Sequence, residues 1–251
     1  MINMKHQYLT QCYILLFQAL IIGYRTGKIL FMGVRNKYCM ICNRAEQREV
    51  PPSHHTCFKN WGVNQSASSM EADIIVEGFR ESVNLHQIRY KRFIGDGDSS
   101  VFSKLLQASP YPAMVIEKLE CRNHLFRNMG KKITALEKKG PGKAKLRKHV
   151  SSQSKRMRGA MEKAIKHHIE DEIPMSEKIT RLKRDIHNTV YHIFGDHSNC
   201  ADYFCSGSSK ENETNKIPEI KAEKELWILI NNAIQPMYLN ARSLIFNVIV
   251  I

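Results

Sequence analysis

The chain has 251 residues, 43% hydrophobic and 25% charged, which is enough for one large domain or two small ones and argues against disorder or fibrous repeats. Thirty-eight Lys and Arg against twenty-four Asp and Glu leave a net charge of +14. Thirteen of those cations lie between Cys121 and Ala160 against Glu137 alone, an excess so local that it suits a polyanionic partner, with a solvated basic helix pair as the alternative.

In chain order, Tyr13–Gly23 and Lys28–Arg35 read as two apolar strands joined at Arg25-Thr-Gly-Lys28, where Gly27 allows the turn. Tyr13–Gly23 is about half the ~20 apolar residues a membrane span needs, and Gln18 interrupts it. No small-residue cleavage site follows it, so we expect a buried strand and no membrane partner, and the basic balance of an intracellular chain points to the nucleus and to DNA. A Cys/His loop from Lys37 to Trp61 comes next, broken by Pro51-Pro52. Ser68-Ser-Met-Glu71 has the form of a capping box opening a helix through Ile74, Ile75, Phe79 and Val83.

A strand Ile88–Ile94, a helix from Ser99 to Ala108, a strand Met114–Leu119 and a helix Glu120–Lys132 follow. This alternation is an α/β pattern with crossover connections. Gly140-Pro-Gly-Lys143 reads as a basic turn, and residues 153–194 carry helical periodicity divided by Pro174. After a polar stretch, Ser206–Asn215, a last helix covers Glu223–Ala233. The organisation expected is 1–36 as N-terminal strands, 37–62 as the Cys/His loop and 63–132 as the α/β core. Residues 133–205 form a basic helical insertion, and 206–251 a linker and C-terminal helix.

Several groups can carry chemistry. Asp96 and Asp98 follow a strand within Gly-Asp-Gly-Asp, where hard oxygen donors suit Mg²⁺; a turn with Asp98 capping the next helix is the alternative. Cys39, Cys42, His55 and Cys57 make a Cys3His zinc set, or else an ordinary group of free cysteines in a loop. Cys121 and His124 share a helix face, and with His197 and Cys200, followed by Cys205, they form a candidate second zinc site. A buried Cys beside a hydrogen-bonded His is the plainer reading of that pair. Seven cysteines in this spacing fit metal or thiol chemistry better than a secreted disulfide framework. The candidate nucleic-acid residues are Lys131, Lys132, Lys138, Lys139, Lys143, Lys145, Arg147, Lys148, Lys155, Arg156 and Arg158. Neither a phosphate-binding P-loop nor a Gly-x-Ser-x-Gly elbow occurs, which argues against a P-loop NTPase and an α/β-hydrolase.

The order of these motifs is similar to that of a family. Thr26-Gly-Lys-Ile-Leu, Asn36-Lys-Tyr-Cys-x2-Cys42, His55-x-Cys-x-Lys-Asn60, Ser68-Ser-Met-Glu71 and Ile94-Gly-Asp-Gly-Asp-Ser99 occur in sequence. Glu120-Cys-x-Asn-His124, Arg127-Asn128, Tyr203-Phe-Cys205 and Lys210-Glu-Asn212 continue it. Together they resemble the insect-type Mutator-like transposase domain of the DDE/D superfamily. The resemblance implies an RNase H-like mixed sheet core interrupted by an all-α insertion. It also implies DNA cleavage and strand transfer at transposon ends by two Mg²⁺ ions on three carboxylates, in a protein that can self-associate. Asp96 matches the second acid, Asp98 is its neighbour, and Cys121 and His124 match the family's Cys-x2-His motif. Residues 1–25 contain no Asp or Glu where the first acid is expected, and Phe246–Ile251 holds none where the third is expected. The expectation is therefore a truncated or degenerate copy that binds DNA without strand transfer, or a transposon-derived zinc-stabilised interaction protein.

Overall fold

The computed structural model describes residues 2–5, 15–95, 99–205 and 214–246. It is a mixed α/β chain that divides into two compact units at Leu119/Glu120.

The first unit is built on a five-stranded sheet. Its strands are β1 (Ile2–Lys5), β2 (Leu16–Gly23), β3 (Ile29–Asn36), β4 (Arg92–Gly95) and β5 (Glu117–Glu120), in the spatial order β3-β2-β1-β4-β5. The central strand β1 runs antiparallel to β2, with Ile2 opposite Gly23, and parallel to β4, with Ile2 opposite Phe93. β2 and β3 form an antiparallel hairpin with an irregularity at Ile21/Ile22, and Gly27 supplies the positive φ of its turn. Phe17, Ala19 and Ile21 alternate inward along β2, as the period of two in a half-covered strand requires. The apolar run of 13–23 is thus a strand from Leu16, and no described helix is long and apolar enough to cross a membrane.

Helix α1 (Met40–Gln47) lies inside the segment expected to be a loop, and α2 (Ala67–His86) covers the hairpin. The start of α2 differs from the Ser68 capping box: Ser66 is the N-cap, its Oγ accepting from the Ser69 amide at 3.1 Å. The helix begins two residues earlier because Ser66 holds the extended backbone a cap needs, while Ser68 already lies inside the helix. A Cβ at Gly33 would stand 2.4 Å from Ile74 Cγ2, and one at Gly78 2.5 Å from Ile21 Cδ1, so helix and hairpin meet at backbone distance. Phe79 meets the Tyr90 ring edge-on at 5.2 Å in a core that Phe93 and Tyr111 complete. On the rim, Arg35 donates from Nε to Asp73 at 2.6 Å and also pairs with Glu77, joining β3 to α2. Helix α3 (Ser99–Ala108) connects β4 to β5. Both strands begin three to four residues later than expected, at Arg92 and Glu117. Asp96 and Asp98 lie outside the described residues.

The described part of the second unit is built from helices: α4 (Arg122–Lys139), α5 (Ala144–Ser152), α6 (Ser154–Glu170), α7 (Met175–Ile193), α8 (Ile217–Ala222), α9 (Lys224–Leu239) and α10 (Ala241–Phe246). Its core draws Met129 and Ile133 from α4, Met157, Met161 and Ile165 from α6, Leu182 and Ile186 from α7, and Ile230 and Met237 from α9. Helix α4, expected on the sheet side, and the helices after 217, expected as a tail, belong to this core because their apolar stripes face it. One buried polar network crosses the bundle. His168 on α6 reaches Asp185 on α7 at 2.7 Å through Nε2, and Tyr203 donates its hydroxyl to the same carboxylate.

Candidate metal centres and basic groove

Four residues of the first unit converge where α1 begins. Cys39 is the extended residue before α1, Cys42 lies in its first turn, and His55 and Cys57 return along the following loop. The chain thus folds a helical Cys-x2-Cys onto an extended His-x-Cys. His55 Nε2 lies 3.3 Å from Cys39 Sγ and 3.4 Å from Cys42 Sγ, and the Cys42 and Cys57 sulfurs are 3.6 Å apart. A tetrahedral zinc with its usual bond lengths sets S···S edges of about 3.8 Å and S···N edges of about 3.5 Å. The observed edges match that tetrahedron, and 3.6 Å is far beyond the roughly 2.05 Å of a disulfide.

Electrostatics at the cluster follow from this crowding. The backbone hydrogen bond at Cys42 is the largest influence on the Cys39 thiol, which sits near 6. The Cys42 thiol, in contact with the Cys57 sulfur, is instead pushed up to about 11. Hydrogen bonding to the Ser53 carbonyl, followed by that to the Cys57 thiol, raises His55 to about 9. Protons held among three sulfurs and one imidazole are the ones a divalent cation displaces on binding.

A second group forms in the helical unit from His192, His197, Cys200 and Cys205, with all four donor atoms within 4.8 Å of one another. It keeps His197 and Cys200 from the expected second site, but Cys121 and His124 join no group of three or more donors among the described residues. Cys121 is the residue before α4, and His124 Nδ1 accepts from Arg127 at 2.9 Å, one turn further along the helix. The i, i+3 spacing does give the two a common helix face, but the partners expected from 197–205 are occupied with His192. Sequence reading passed over His192 because it continues the α7 pattern. The available signal was His192-x4-His197-x2-Cys200-x4-Cys205, four donors at short and regular intervals.

The basic residues divide by what they do. Arg147 is committed to the turn between α4 and α5, donating to the carbonyls of Glu137 and Gly142. Arg158 pairs with Glu162 at 3.0 Å and lies 5.1 Å over the Phe126 ring, and Arg156 donates to Gln153. Lys131, Lys132, Lys138, Lys139, Lys143, Lys145, Lys148 and Lys155 are all exposed. Between α4 and the start of α6 runs an open groove of about 550 Å³ whose lining includes Arg127, Lys131, Lys155 and Arg158 with Thr134 and Ser154. Cations and hydroxyls in one groove are the donors that phosphate oxygens accept from.

The family model for the Mutator-like transposase matches residues 17–205. This chain belongs to the Mutator-like transposase family. The Mutator-like match takes in both cysteine–histidine groups and the basic groove, and it ends at Cys205, the last donor of the second group. No curated protein and no solved structure matches the chain.

Proposed function

We propose that this chain is a transposase-derived protein that binds duplex DNA, the transposon ends of its family, through the helical unit and acts in the nucleus. The groove between α4 and α6 carries the reading: four cations and four hydroxyl side chains line a channel in a unit whose 121–160 segment holds a single acid. The DNA backbone is a regular array of such acceptors, and contacts of this kind bind without reading sequence. An RNase H-like core is the second part of the reading. Its support is the order β3-β2-β1-β4-β5 with a central strand antiparallel to one neighbour and parallel to the other.

Zinc at Cys39, Cys42, His55 and Cys57 completes the proposal. There it would cross-link α1 to the 53–57 loop as a closed structural site, with no position left open for a reactant. The carboxylates among the described residues form no group that fits the family's pair of Mg²⁺ ions. Central strand β1 reads Ile-Asn-Met-Lys, without an acid, and none of the donor groups among the described residues consists of carboxylates. We therefore assign no strand-transfer step to this chain.

Fluorescence anisotropy of the full chain with terminal-repeat duplex DNA tests the binding. Affinity should fall by about 0.9 log unit per decade of salt for each phosphate contact. A flat salt response would leave only a zinc-stabilised interaction module. Mg²⁺-dependent cleavage of the same DNA, lost in Asp96→Ala, would overturn the non-catalytic reading.

A further inference from the structure

The donor group at the end of α7 supports an inference independent of DNA binding. His192 occupies the last turn of that helix, Gly195 reverses the chain at a φ of +87°, and His197, Cys200 and Cys205 follow. His192 Nδ1 and His197 Nδ1 are 3.1 Å apart, and Cys200 Sγ lies 3.4 Å from the first and 3.7 Å from the second. Cys205 Sγ closes the figure at 3.6 Å from His197 Nδ1. A hydrogen bond joins two atoms, whereas four lone-pair donors converging on one point are the arrangement a cation holds. Zinc bound by two nitrogens and two sulfurs sets edges of about 3.3 Å for N···N and about 3.5 Å for N···S. The observed distances follow that pattern. Asn188 also donates to Cys200 Sγ at 3.5 Å, as a hydrogen bond to a metal-bound thiolate does.

We infer that His192, His197, Cys200 and Cys205 bind a zinc ion, and that this ion holds Tyr203 on the buried Asp185. Residues 197–205 contain no helix or strand. Tyr203 sits between the two cysteine ligands, stacks on His167 at 3.6 Å, and donates its hydroxyl to Asp185 beneath it. Lys163 on α6 donates to the Phe204 carbonyl at 3.1 Å. A metal fixing Cys200 and Cys205 fixes both ends of the segment that carries Tyr203. Without it, the loop's own backbone bonds are short-range turns, and Asp185 loses a partner in a place water barely reaches.

The test is metal analysis and cobalt substitution of the full chain. Purified protein should carry about two zinc ions per chain, one per four-donor group. Cys39→Ser/Cys42→Ser should keep one of them, and Cys200→Ser/Cys205→Ser should keep the other. Should the latter variant fail to fold, the decision passes to the former. Loaded with Co²⁺, it should show the thiolate charge-transfer and d–d bands of a tetrahedral site with two sulfurs. A folded Cys39→Ser/Cys42→Ser protein that binds neither zinc nor cobalt would overturn the site. For the link to Tyr203, chelation of that variant should lower its thermal midpoint clearly more than it does in the added Tyr203→Phe background. Equal losses in the two backgrounds would overturn the link while leaving the metal site standing. Loss of DNA binding bears on neither result.

Discussion

His55 donates its Nδ1 hydrogen to the Ser53 carbonyl at 2.7 Å, a direction the carbonyl dictates because it can only accept. That bond turns the lone pair of Nε2 toward Cys39 and Cys42 and fixes the ring before any metal arrives. His55→Gln should therefore cost the protein one equivalent of zinc, as should Cys42→Ser, whereas His54→Gln should cost none. Metal analysis by mass spectrometry on the folded variants checks this.

The buried Asp185 predicts an acid-sensitive bundle. Burial by itself would push its carboxyl up, but the hydrogen bonds from His168 and Tyr203, with Arg184 close by, leave it below the ordinary carboxylate value. A depressed native value means the stabilisation is present above the unfolded-state value of about 3.9 and is lost as pH falls through the native one. Thermal unfolding from pH 6 downward should show a steeper loss for the wild type than for Asp185→Asn below about pH 4. At neutral pH, Asp185→Ala should cost about 1–3 kcal/mol, because His168 Nε2 and the Tyr203 hydroxyl then lose their shared acceptor inside the bundle.

Gly33 has no room for a side chain. An added Cβ meets the branched Ile74 side chain at 2.4 Å, a group that cannot swing aside as a long flexible one does. Gly33→Ala should destabilise the sheet unit by about 1–3 kcal/mol, read as a lower urea midpoint. The shift should shrink when Ile74→Ala is added, since the two changes share one space.

The start of α2 separates two serines. Ser66→Ala should cost about 1 kcal/mol through loss of the bond to the Ser69 amide, and Ser68→Ala should be close to neutral. Chemical denaturation of the two variants side by side decides it.

In the basic groove, Lys131→Gln and Lys155→Gln should each weaken DNA binding at every sequence tested. Each should reduce the salt slope by about 0.9, the value of one phosphate contact. Arg147→Gln should leave the slope unchanged and lower the thermal midpoint, because its guanidinium closes the turn between α4 and α5.

How much was legible depended on distance along the chain. Cys39, Cys42, His55 and Cys57 span nineteen residues, so their spacing alone singled them out, and the fold brings them together. His192 was hidden because a helix-tail histidine looks the same in sequence whichever way its ring faces. Cys121 and His124 have a suggestive spacing, but spacing cannot say whether other donors come near. Strand β1 is four residues long, too short for its alternation to declare it, and it was missed although it is the middle of the sheet.

The amino-acid sequence by itself determined the α/β class, the family, the charge-rich segment and most helices, because each is written in local composition, order and periodicity. The tertiary structure decided which unit α4 and α9 join, which cations remain exposed and which are tied into turns, and which histidine completes the second donor group. Those outcomes rest on which way side chains face and which of them meet in space, from a neighbouring turn as His192 meets His197 and Cys200 or from another helix as α4 meets α9, and periodicity alone encodes neither.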